Sequence, residues 1–242
     1  MSFLEHLDEL RKRLLLSLLA VAVAFAVALS YARVILRFFL KPIQDFLGSN
    51  RLVFIDLTEP FILYMKVAFL AALFVAAPFV LYQLWAFISP GLYPRERRYA
   101  LPFVLFASLF FLLGGLFGYY IGFPSAAHFL LQMGEGFDPT LRVSNLFSFE
   151  SKILLGLGLV FELPTVIYFL ARLGLITPRF LWRNFQYAIL IIFIIAAVIT
   201  PTPDVVTQCI FALPMILLYL IGILVAYVFG RERRAPDAPG DA

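Results

Sequence analysis

Three carboxylates stand where a carboxylate needs a reason. Glu162 lies ten residues after Lys152 and ten before Arg172, in the middle of an apolar run. An acid at that depth costs about 2.5–3.5 kcal/mol on insertion scales, so it requires a partner, a proton or a watery cavity. It either hydrogen-bonds a neighbouring helix and glues the bundle, or it marks a site for substrate, proton or partner helix. Pro164, two residues on, frees a carbonyl in the previous turn, so a local kink is expected there. Glu96 is set among Arg95, Arg97 and Arg98, just beyond the turn Ser89-Pro90-Gly91. As an exposed ion-pair cluster it is worth little. As a displayed carboxylate it suits a cationic ligand, because arginine–carboxylate pairing is bidentate and directional. Asp204 follows Thr200-Pro201-Thr202-Pro203 and suits the N-cap of a helix. With Thr207 and Gln208 it makes either a simple interfacial cap or a polar notch that another membrane helix could hydrogen-bond.

Enzyme chemistry finds little support in these residues. There is no His-Glu-x-x-His and no Gly-rich phosphate loop. His6 and His128 are expected on opposite faces of the membrane, and Cys209 has no second thiol. No cofactor and no metal site is implied. An intramembrane enzyme would need a second catalytic group near Glu162, and the spans offer no evident one.

The elements that must hold these side chains are membrane helices. Of 242 residues, 63% are apolar and 14% charged, and the mean hydropathy is +0.96. A water-soluble chain of this length could not hide that much apolar surface. Spanning takes about 20 apolar residues. Six runs qualify: 14–32, 61–88, 101–123, 153–171, 185–200 and 205–229. None alternates with the period of a barrel strand. The expected fold is an all-α integral membrane protein, six helices in a curved bundle, with the last two helices short. Pro78, Pro164 and Pro214 are the source of the expected curvature.

Twelve of the 19 Lys and Arg fall in the amino-terminal segment, two loops and the tail that would share one side. This imbalance places both termini in the cytoplasm. Residues 2–13 read as a short amphipathic helix, with Phe3, Leu7, Leu10 and Leu14 on one face. It either lies at the headgroups or forms a docking face for a charged partner. A cleaved secretory leader is disfavoured by Glu5, Asp8 and Glu9. The six-span domain is expected over 1–230, followed by a disordered cytoplasmic tail over 231–242. No internal repeat is evident.

The segments HLDELRKR, YQLWAFISPGLYPRERR, FELP and TPTPD, in that order on six spans, resemble the TatC family, the core of the twin-arginine protein translocase. The turn reads TPTPD where some members have TPPD, and the loop SPGL where others have SPAL. The resemblance implies a receptor for twin-arginine signal peptides in the bacterial cytoplasmic membrane. By the same resemblance, Glu9 and Glu96 receive the two arginines, and Arg11, Phe87, Ser89, Pro90, Leu92 and Tyr93 belong to the same binding surface. Glu162 matches an intramembrane acid on the concave face. Thr200, Asp204 and Gln208 match the hairpin region associated with docking single-span TatA- and TatB-type partners. Pro42 matches a structural proline, and Pro164 belongs to the FELP motif. Export driven by the proton motive force within an oligomeric complex is likewise implied, with no nucleic-acid partner. The rival reading is a proton-coupled secondary transporter using Glu162.

Overall fold

The computed structural model describes residues 3–47, 52–88, 100–137, 140–200 and 204–230. Among them there is no strand, only an isolated bridge between Val53 and Arg142. Ten helices follow in order: α1 (Phe3–Ser30), α2 (Ala32–Leu47), α3 (Glu59–Ile88), α4 (Ala100–Phe117), α5 (Phe123–Met133), α6 (Val143–Phe161), α7 (Leu163–Arg172), α8 (Pro178–Arg183), α9 (Phe185–Ile199) and α10 (Val205–Phe229). A π-helical turn, Gly118–Gly122, joins α4 to α5. Five continuous or nearly continuous apolar lengths can cross a bilayer, and α9 is a shorter apolar helix.

Several boundaries differ from the sequence expectation. Residues 3–13 continue into the first span as one unbroken helix. The third span does not end at Phe123 but runs on to Met133. Pro124 enters at the start of α5, directly after the π-turn, where the usual i to i−4 ladder has already been loosened. The fourth span starts at Val143, ten residues before the expected Ile153. Its first turns are polar, yet Ser148 and Ser151 donate to the carbonyls of Ser144 (2.7 Å) and Phe147 (2.6 Å), so the helix satisfies them internally. The expectation of two short final helices holds only for α9, with 15 residues. α10 runs 25 residues because its apolar run is unbroken and the helix carries Pro214 without ending.

Packing follows the small residues. A Cβ on Gly114 would lie 2.5 Å from the Leu157 carbonyl oxygen and 2.8 Å from the Gly158 Cα, so α4 and α6 touch backbone to backbone there. One buried cluster joins α5, α6, α7, α9 and α10 through Phe123, Leu157, Ile167, Ile192, Phe211 and Met215. A second joins α2, α3, the π-turn and α6 through Phe39, Val67, Tyr119, Phe147 and Leu154. α2 is amphipathic by design of its spacing: Ile35, Leu36, Phe39, Leu40 and Ile43 face the body, while Arg33, Arg37 and Lys41 are exposed at four-residue intervals. α1 packs mainly on α3 and leaves Leu14, Leu18, Leu19, Val23 and Val27 uncovered.

Candidate functional site

The expected ligand-binding residues begin where α1 starts and α3 ends. The two helices run antiparallel, so the amino-terminal turns of α1 meet the last turns of α3. His6 stacks on Phe87 with ring centroids 4.5 Å apart, and the Arg13 Nη1 donates to Gln83 Oε1 at 3.0 Å. Between these two ties sits Glu9. Its Oε1 accepts from Arg13 Nη2 at 3.4 Å, long for a charge-assisted bond. Its Oε2 has no hydrogen-bond partner among the described residues. Glu9 is therefore a partly shielded carboxylate held only loosely by its own cation. Arg11 lies on the exposed side of the same turns. The structure thus brings Glu9 and Phe87 to one end of the α1–α3 pair. Ser89, Pro90, Leu92, Tyr93 and Glu96 lie outside the described residues.

Glu162 sits at the break between α6 and α7. Its N–H donates to the Leu159 carbonyl, and its own carbonyl accepts from the Val166 N–H. Pro164 in the first turn of α7 is what interrupts the ladder. The side chain is buried at 9% exposure, hydrogen-bonded by the Thr165 side chain, with Oε1 unpartnered among the described residues. A break in the helix stands where the kink is expected before Pro164, and it places the carboxyl at a gap in the helix rather than on a regular face.

At the α9–α10 hairpin the polar side chains work on the hairpin itself. The Thr207 N–H donates to Asp204 Oδ2 at 2.6 Å, an N-cap for α10. Gln208 Nε2 donates to the Phe193 carbonyl at 2.9 Å, tying α10 back to α9. The Thr200 hydroxyl, buried at 4% exposure, donates to the Ala196 carbonyl at 2.8 Å. Residues 201–203 lie outside the described residues.

Three polar features escaped the sequence reading. The first is Glu150, fully buried on α6, with neither oxygen partnered among the described residues. It fell outside the expected fourth span because that span was begun ten residues too late. The second is Tyr119 on the π-turn, whose hydroxyl donates to the Phe38 carbonyl at 2.6 Å. Pro42 lies four residues after Phe38 and has no N–H, so the α-helical donor for that carbonyl is missing. Tyr119 supplies it from another element. The third is an ion-pair cluster: Arg142 Nε to Glu59 Oε2 at 2.8 Å and Arg142 Nη2 to Asp56 Oδ2 at 2.6 Å. The Glu59 hydrogen bond is the main reason that Arg142 holds its proton above the ordinary arginine range. The cluster and the Val53 bridge clasp the segment before α3 to the start of α6.

The chain as a whole has counterparts. A family model described as Sec-independent protein translocase protein (TatC) matches residues 5–214. The Sec-independent protein translocase protein TatC of Koribacter versatilis is 48% identical over 238 residues, covering 97% of this chain and 88% of that one. The protein of the same name from Aquifex aeolicus is 37% identical over 239 residues, covering 97% and 98%. A crystal structure of the twin-arginine translocase receptor TatC superposes with a TM-score of 0.79 at 38% identity, over 93% of this chain and 100% of that one.

Proposed function

From the premise that this chain belongs to the TatC family of Sec-independent protein translocase proteins, we propose that it receives twin-arginine signal peptides through a carboxylate clamp made of Glu9 and Glu96. The protein is a multi-pass membrane subunit of a translocase, consistent with the bacterial inner membrane, and is not an enzyme. The observation that carries the clamp is the state of Glu9. Its carboxylate lies one turn of α1 after His6, which stacks on Phe87, with one oxygen unpartnered among the described residues and the other held at 3.4 Å. A guanidinium that engages both oxygens makes a shorter and stronger contact than Arg13 does. Exposed ion pairs are worth under about 1 kcal/mol each. The apolar stretch of the signal must therefore add affinity by lying against membrane-level apolar surface, toward Glu162. Both termini face the cytoplasm in this reading, which puts the clamp on the side where cargo folds.

Single-span partners of the TatA and TatB type assemble against α9 and α10 in this reading. Leu190, Ile191, Ile194 and Val198 on α9, with Leu213 and Leu217 on α10, form the uncovered apolar faces that favour it. The proton motive force drives transport in the assembled, oligomeric complex. Crosslinking of a twin-arginine signal peptide to the membrane-embedded protein tests the clamp. Glu9→Gln and Glu96→Gln should each weaken the crosslink up to about fivefold, and the double variant more than either. Undiminished binding in the double variant would sink the proposal.

A further inference from the structure

Among the described residues, Lys152 is a cation without a counter-charge. It stands on α6 within the apolar length Val143–Arg172, on the side that lines a cavity of about 1060 Å³ between α5, α6 and the end of α9. Asn145, Phe149 and Lys152 follow one another on a single helical stripe, and Leu131, Val198 and Ile199 supply apolar wall. An uncompensated lysine inside a membrane helix is a site by default until its partner is found.

The described acids do not provide that partner. Glu150 is two residues away, on the opposite side of α6, and fully buried there. Asp56 and Glu59 are engaged by Arg142. Glu162 is ten residues further on, about 15 Å along the axis. Glu135 stands exposed on the cavity rim but forms no ion pair with Lys152. No described residue supplies the counter-charge.

The setting narrows what it can be. α9 has 15 residues, about 22 Å of helix, against about 30 Å of hydrocarbon. The hairpin tip at Val198 and Ile199 therefore stops short, and bilayer components must fill the depth it leaves. A free ion would satisfy Lys152 but leave the apolar wall wet. An amphipathic anion satisfies both. We propose that this cavity binds the phosphate headgroup of an anionic phospholipid, with Lys152 as the selecting charge, Asn145 as a neighbouring amide donor, and the upper acyl chains along Leu131, Val198 and Ile199.

Native mass spectrometry of the purified, detergent-solubilised protein tests this without reference to its transport activity. The probes are phosphatidylglycerol and phosphatidylcholine with identical chains. One lysine near a membrane anion corresponds to about a fivefold preference. The wild type should therefore retain phosphatidylglycerol about fivefold more readily, Lys152→Arg should keep the preference, and Lys152→Gln should lose it. Glu135→Gln should leave it equal or larger. Equal retention of both lipids by the wild type overturns the proposal, as does an unchanged preference in Lys152→Gln. Displacement of the lipid by millimolar inorganic phosphate also overturns it, since a small ion would then be the occupant. If Lys152→Gln fails to fold, Lys152→Met and the wild-type competition decide in the same terms.

Discussion

The pairing of Tyr119 with Pro42 makes a quantitative demand. Tyr119 is 4% exposed and its hydroxyl lies 2.6 Å from the Phe38 carbonyl, which Pro42 has deprived of its helical donor. Tyr119→Phe leaves that carbonyl without its donor, a loss of about 1–3 kcal/mol. Pro42→Ala restores an N–H to α2 at the right position, so that variant alone should be neutral or stabilising. In the Pro42→Ala background, Tyr119→Phe should cost only the net value of one hydrogen bond, about 0.5–1.5 kcal/mol. At the middle of those ranges the two substitutions couple by about 1 kcal/mol. The measurement is reversible unfolding of the four proteins of the cycle in mixed detergent micelles. Additivity within about 0.3 kcal/mol would refute the reasoning, because the carbonyl would then have had another donor all along.

Other outcomes follow from the same structure. Glu150→Met removes a fully buried carboxyl with no hydrogen-bond partner among the described residues and should raise stability by about 1–3 kcal/mol in that unfolding assay, whereas a loss would reveal a bond to the carboxyl. Gly114→Ala forces a Cβ against the Leu157 carbonyl and should destabilise by about 1–3 kcal/mol, with a lowered melting temperature in detergent. Asp204→Ala removes the cap on the Thr207 N–H and should cost about 1 kcal/mol, while Asp204→Asn, which keeps an acceptor, should cost a few tenths. If Asp204→Asn abolishes export at unchanged stability, the carboxylate serves a partner rather than the cap.

Sequence and structure part company for identifiable reasons. The apolar runs marked every span, because a 20-residue hydrophobic run is decided by composition alone. The break at Glu162 was legible too, since a proline acts on its own turn. The ends of the spans were not. The serines at 148 and 151 read as loop residues, yet each bonds to a carbonyl one turn back and costs the helix little. Pro124 read as a terminator, yet a π-turn upstream accommodates it. Those two misreadings displaced Glu150 from the fourth span and hid the role of Tyr119.

By itself the sequence determined the all-helical membrane class, the asymmetry of its cations and the motifs that carry the family resemblance. These depend on local composition and spacing, which a linear chain displays in full. Tertiary structure alone decided which polar groups face each other. His6 meets Phe87, and Arg13 meets Gln83, only because α1 and α3 are antiparallel. Arg142 meets Glu59 across 83 residues, and Tyr119 reaches Phe38 across 81. Lys152 is not paired with Glu150, its neighbour in sequence, because Glu150 is buried on the other side of the helix. Charge compensation and hydrogen-bond satisfaction act through space over a few ångströms, and one-dimensional spacing does not record that distance once a chain has folded back on itself.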